Sequence, residues 1–149
     1  MTNEEKQLLL KDLCARLPYG VICRTTSVYY DNDDNELGQV QGTLVSIDKR
    51  RASFVDYRDN TAFGAYFEYN GQIGFKPYLR PMSSMTKEEE KEYSETCFFS
   101  HEIGEIPTLE TFDWLNAHQF DYRIDPSTGK TLIESNLALE APNDMYKTE

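Results

Sequence analysis

The chain has 149 residues and a formal net charge of −11, from 26 acidic and 15 basic side chains, a balance that argues against unaided binding to a phosphate backbone. With 39% hydrophobic and 13% aromatic residues it is too apolar for a disordered segment and has enough side chains for one real core. Its longest apolar runs are only a few residues, so no membrane span is expected.

In chain order, the first expected element is a helix. Thr2 and Glu5 stand at capping-box spacing. Leu9, Leu10, Leu13, Cys14 and Leu17 recur at helical intervals, and Pro18 with Tyr19-Gly20 ends the run. The stripe is read as packing on a sheet, with docking on a partner helix as the alternative. No basic region precedes an apolar run here, so no secretory leader is expected. Cys14, Cys23 and Cys97 lack CxxC spacing and read as reduced thiols of a cytoplasmic protein; Cys14 and Cys97, on apolar patterns, are expected to be buried.

From residue 21 the pattern changes to strands. Residues 21–23, 28–30, 40–47 and 52–57 favour β structure, with Asp48-Lys-Arg-Arg51 as a turn. Residues 65–69 and 72–75 flank Asn70-Gly71, the strongest short hairpin signal. A two-residue turn pairs Tyr69 with Gln72, Glu68 with Ile73 and Phe67 with Gly74. Tyr66, Ile73 and Phe75 then share one face, with Phe67 on the other. About five such strands predict a small antiparallel SH3-like barrel or a curled sheet.

Pro77 and Pro81 bracket Tyr78-Leu79-Arg80. Each lacks an N–H, which predicts a stiff connector in place of a central strand. Thr86 and Glu89 then form a second capping box, with Glu88, Glu89 and Glu90 in the first helical turn. Cys97-Phe98-Phe99 is apolar. Thr108 caps a helix expected to reach Phe120, with Leu109, Phe112, Leu115 and Phe120 as its stripe. Asp125-Pro-Ser-Thr-Gly129 is a turn, residues 131–134 a short strand or helical turn, and Pro142 onward a loose tail. The expectation is an α+β fold: residues 1–80 carry a helix and the sheet, and residues 81–149 a helical part packed on it.

The candidate sites are few. Tyr78, Trp114 and Tyr122 are candidate anchors for a protein partner, since interfaces favour Tyr and Trp. Asp31, Asp33, Asp34 and Glu36 form one acidic patch and Glu88, Glu89 and Glu92 another; spaced carboxylates of this kind mimic phosphates. Lys49, Arg50 and Arg51, joined by Arg58, form a basic hairpin that suits either a nucleic-acid contact or protection of a sheet edge. Asp31, Asp33 and Asn35 open like a calcium loop, but Glu36 and Gly42 occupy the positions that need Gly and Glu, so no metal is expected. His101 and His118 have no second histidine at ligand spacing, and no nucleophile elbow or phosphate loop is present. No cofactor and no catalysis are expected. The leading expectation is a non-enzymatic protein-interaction module, ahead of a nucleic-acid-mimicking inhibitor and a small-barrel nucleic-acid contact.

Lys11-Asp-Leu-Cys-Ala-Arg-Leu-Pro-Tyr-Gly20, Lys76-Pro-Tyr-Leu-Arg-Pro-Met-Ser-Ser-Met-Thr86, Phe120-Asp-Tyr-Arg123 and Leu137-Ala-Leu-Glu-Ala-Pro142 resemble blocks of a family of small proteins of uncharacterised function, common in gut anaerobes, their phages and mobile elements. The blocks are spread along the whole chain. Residues 24–75 share only a β-rich character, and residues 124–136 form a longer linker than many relatives have. The resemblance implies an accessory role in a bacterial or phage cytoplasm and brings no catalytic or cofactor-binding residues.

Overall fold

The computed structural model describes residues 1–27, 29–30, 33–34 and 36–146, with positions 29, 30, 36 and 37 as backbone. In chain order the elements are α1 (Asn3–Arg16), β1 (Ile22–Thr25), β2 (Tyr29–Tyr30), β3 (Glu36–Gly38), β4 (Gln41–Ile47), β5 (Arg51–Asp56), β6 (Thr61–Tyr66), β7 (Glu68–Tyr69), β8 (Gln72–Ile73), β9 (Phe75–Pro81), α2 (Lys87–Thr96), β10 (Phe98–Ser100), β11 (Gly104–Ile106), α3 (Leu109–Ala117), β12 (Phe120–Asp121) and β13 (Leu139–Glu140). The fold is mixed α+β. Both capping boxes form, Thr2 with Glu5 on α1 and Thr86 with Glu89 on α2.

The main sheet runs β12-β9-β1-β4-β5-β6, with β13 also on β9. It is open and does not close into a barrel. Its β1, β4, β5, β6 and β9 pairings are antiparallel, while β12 and β13 lie parallel to β9. The β4–β5 turn is held by Asp48, whose Oδ1 accepts from the Arg50 and Arg51 amides at 2.7 and 3.0 Å. Such an Asx turn favours ionisation, and these amides hold the Asp48 carboxyl below its usual range.

The expected connector at Pro77–Pro81 is instead an internal strand, paired on both sides. Cys23 faces Pro77 and Arg24 faces Lys76 across β1–β9. The Thr26 amide donates to the Gly74 carbonyl at 3.0 Å, which puts Pro77 at a non-hydrogen-bonded pair. Its missing N–H therefore points away from β1, and no ladder bond to β1 is lost. On the far side β9 is paired by β12 at Arg80 and Pro81 and by β13 at Tyr78 and Leu79. Residues beyond 81 thus complete the sheet begun by residues 1–80, and Leu132, Leu137 and Ala138 enter the same core as Leu9, Leu13, Leu44, Phe54 and Phe75.

Around Asn70-Gly71 the expected register forms, Tyr69 with Gln72 and Glu68 with Ile73. The faces differ from expectation. Tyr66 is exposed, and Phe67 joins Phe75 in the core at 5.9 Å between rings. The chain kinks between β6 and β7. There the Tyr66 backbone presses so closely on Gly74 that a Cβ at Gly74 would lie 1.8 Å from the Tyr66 carbonyl oxygen.

On α1 the buried side chains include Asp12 and Arg16, while Cys14 is exposed, against the expected apolar stripe. Cys97 is half-buried and Cys23 fully buried. Burial, then the nearby Asp12 charge, pushes the Cys23 thiol far above its usual range. On α3 the stripe also differs: Thr111, Leu115 and Asn116 are buried, while Leu109 and Phe112 face outward. Phe120 leaves the helix altogether after Gln119, whose φ is +61°, and pairs in β12. The segment after Pro142 is not loose through residue 146, because Tyr146 is anchored in the sheet.

Candidate functional site

None of the three expected anchors is a free surface aromatic. Tyr78 is buried within β9, and its carbonyl accepts from the Tyr146 hydroxyl. Trp114 is half-buried, stacked on His118 at 4.1 Å and on Phe120 at 5.7 Å, and its Nε1 donates to Glu92 at 3.2 Å. The Arg16 and Arg123 guanidinium groups lie 5.5 and 5.2 Å from the Tyr122 ring, and its hydroxyl donates to Asn116. All three therefore hold the C-terminal part together.

The acidic candidates divide likewise. Asp31 and Asn35 lie outside the described residues, and Glu36 is described only as backbone; Asp33 and Asp34 are exposed. Glu89 is bound by both terminal nitrogens of Arg80, each at 2.7 Å, and Arg80 lies 4.2 Å over the Phe120 ring. The Arg80 guanidinium holds the Glu89 carboxyl at about 2, so this residue is a structural ion pair. Glu88 is exposed, and Glu92 is engaged by Trp114 and approached by His118 at 3.9 Å.

The basic candidates do not form one patch. Lys49, Arg50 and Arg51 sit at one end of β5 and Arg58 just beyond the other, paired with Asp56 at 2.8 Å. The first group has aromatic company that the sequence did not disclose. Arg51 faces Tyr66 across the β5–β6 ladder and lies 5.9 Å over its ring, and Tyr66 stacks on exposed Tyr69 at 5.9 Å.

One cleft of about 330 Å³ is lined by Arg80, Glu88, Glu89, His118, Asn143 and Tyr146. Its chemistry is largely spent: Arg80 and Glu89 hold each other, the Tyr146 hydroxyl is bonded into the sheet, and His118 Nδ1 meets the Trp114 carbonyl at 2.9 Å. Among the described residues, no group of three or more His, Cys, Asp and Glu side chains converges as a metal site, and no helix is long and apolar enough to cross a membrane.

A further exposed apolar surface lies at the β10–β11 hairpin and the start of α3. The hairpin pairs Phe98 with Ile106 and Phe99 with Glu105, and among the described residues it joins no other strand. Two strands cannot cover both of their own faces. Phe98, Phe99 and Ile103 are accordingly 63, 61 and 76% exposed, and on α3 Leu109 and Phe112 are 84 and 40% exposed. The two elements are tied together at their bases. The Thr108 and Thr111 hydroxyls both donate to the Thr96 carbonyl, at 2.9 and 3.0 Å, so the last residue of α2, two before the hairpin, meets the first turn of the helix after it. Comparison with protein-family profiles, curated proteins and solved structures finds no match.

Proposed function

We propose that this chain is a non-enzymatic protein-interaction module that docks through the exposed side chains of the β10–β11 hairpin and the first turns of α3. The observation that carries this reading is five large apolar side chains in a fifteen-residue span, 98–112, held at the surface by the threonine tie. Scattered exposed apolar residues are ordinary, whereas a cluster marks an interaction surface. Covering each such side chain contributes at most about 1.5–3 kcal/mol, and Phe98 and Phe99, consecutive on β10, stand on opposite faces of the ribbon. The accessory role implied by the family resemblance fits a protein that works through a partner.

Capture from a lysate of the encoding organism, with the recovered protein identified, tests the reading. Wild type is expected to recover a stoichiometric partner that a Phe98→Ser/Phe99→Ser/Leu109→Ser variant loses. Turnover of a small substrate, with no partner that depends on these residues, would reverse it.

A second reading has its own observation. The stacked Tyr66–Tyr69 pair beside Lys49, Arg50 and Arg51 suits a single-stranded nucleic acid, with bases on the rings and phosphates on the cations. The −11 net charge weighs against it. A low-salt gel shift lost in Lys49→Ala/Arg50→Ala/Arg51→Ala would raise it, and no shift at high protein concentration removes it.

A further inference from the structure

From the charge that surrounds this face we infer that its partner is a cationic amphipathic helix, with leucine-like side chains along one side and Lys or Arg flanking them. The inference rests on the docking face proposed above and names the chemistry that fits it.

Between Lys91 and Arg123 the sequence contains no lysine or arginine. In that interval Glu92, Glu95, Glu102, Glu105, Glu110 and Asp113 are all exposed. Their placement is tied to the apolar side chains. Glu105 is the direct cross-strand partner of Phe99, so the two lie on one face of the hairpin, with Phe98 and Ile106 on the other. On α3, Leu109 and Phe112 are three residues apart on one helix face, and Asp113 follows Leu109 by four, beside them. Glu110 sits in the first turn. Each element thus sets carboxylates beside its exposed apolar side chains, with no lysine or arginine from either.

Such a border selects by charge. A second copy would set its own acids against these, each chain bringing a net charge of −11, and like charges brought together at an interface oppose association. An anionic or neutral partner would leave the carboxylates to be desolvated without compensation. A partner whose apolar stripe is bounded by Lys or Arg, as on one side of an amphipathic helix, satisfies both the apolar side chains and the carboxylates beside them. Trp114, the only tryptophan, lies on α3 and is hydrogen-bonded to Glu92 of this acidic set, so it reports on occupancy.

The test is a Trp114 fluorescence titration of the full chain with a synthetic leucine/lysine peptide of about four helical turns, leucines at helical spacing. Three controls are a glutamate counterpart, a serine counterpart, and a leucine/lysine peptide of scrambled order. The expected result is saturable binding of the amphipathic lysine peptide alone, weakened by added salt. Phe98→Ser/Phe99→Ser and, independently, Glu102→Gln/Glu105→Gln/Glu110→Gln/Asp113→Asn are each expected to weaken it about tenfold or more. All of these side chains are exposed, and circular dichroism confirms that the variants fold. Equal binding of the scrambled peptide means generic charge attraction and overturns the inference. Equal binding of the serine peptide that is still lost in the Phe98/Phe99 variant overturns the cationic partner but leaves the docking face standing. No binding of any peptide overturns the inference, and the docking face is then judged by the capture experiment. Self-association abolished by Phe98→Ser/Phe99→Ser makes the occupant a second copy and likewise overturns it.

Discussion

The Tyr146 hydroxyl donates to the Tyr78 carbonyl at 2.7 Å and accepts from the Ile22 amide at 2.9 Å. It stands where the β1–β9 ladder would make its next bond, so a side chain 68 residues away in sequence from Tyr78 closes the end of a central strand pair. Burial raises the Tyr146 phenol above its usual range, keeping it neutral and able to donate.

Tyr146→Phe is therefore expected to leave the part-buried Ile22 N–H and Tyr78 C=O unpaired. The cost should be about 1–3 kcal/mol, read from the urea midpoint. An unchanged midpoint would show that the tail contributes nothing to the sheet.

A second prediction concerns the charges buried under α1. Arg16 Nε and Nη2 donate to Asp12 at 2.7 and 3.0 Å, Nη2 also reaches the Phe120 carbonyl at 2.5 Å, and Arg123 Nε donates to Asp12 at 3.0 Å. Asp12 and Arg16 are fully buried. Removing Arg16 leaves the buried Asp12 carboxylate with the single Arg123 Nε bond in place of three donors. Arg16→Met is expected to cost about 3–5 kcal/mol, and Asp12→Leu/Arg16→Met less than Arg16→Met alone, because no buried charge is left without its mate. Arg123 is partly exposed and can turn to water. Denaturant unfolding of the three proteins reads the ordering; a double variant worse than the single one would contradict it.

What was legible in the sequence was local chemistry. Thr2 with Glu5, Thr86 with Glu89, Asp48 at its turn and Asn70-Gly71 each specify a few neighbouring dihedrals, and each forms as read. What was not legible depended on distant chain. Pro77 is tolerated in a central strand because its register against Cys23 directs its ring nitrogen away from β1. Asp12 and Arg16 look like the wet side of a helix until Phe120 and Arg123 arrive to bury them. The candidate site was half readable. The apolar Phe98-Phe99 pair and the missing cations between 91 and 123 are sequence facts, but the exposure of the pair follows from a hairpin that, among the described residues, no third strand joins.

The kink at Gly74 separates two kinds of glycine. A methyl at Gly74 would collide with the Tyr66 backbone, which no rotamer change relieves. Gly71 has open space around it and only a φ of +77° to accommodate. Gly74→Ala is expected to destabilise by more than about 3 kcal/mol, and Gly71→Ala by about 1 kcal/mol. Matched thermal and urea unfolding of the two variants decides, and equal losses would mean that the β6–β7 kink relaxes freely.

The last prediction is a pH dependence. Arg80 holds the Glu89 carboxyl at about 2, below its unfolded range, with the Thr86 amide as a further donor to the same side chain. A depressed carboxyl stabilises the fold fully above its unfolded pKa, and the contribution fades as pH falls toward the folded value. The fold should therefore weaken between roughly pH 4.5 and 2, where the unfolded chain takes up this proton first. Glu89→Gln keeps the shape but removes the charge from both the Arg80 pair and the helix cap. At neutral pH it is expected to cost about 2 kcal/mol, and near pH 2 the difference from wild type should shrink toward nothing. Urea midpoints measured across that range give the comparison. A wild-type advantage that stays constant down to about pH 2 would mean that the Arg80–Glu89 pair is not the group whose proton is being read.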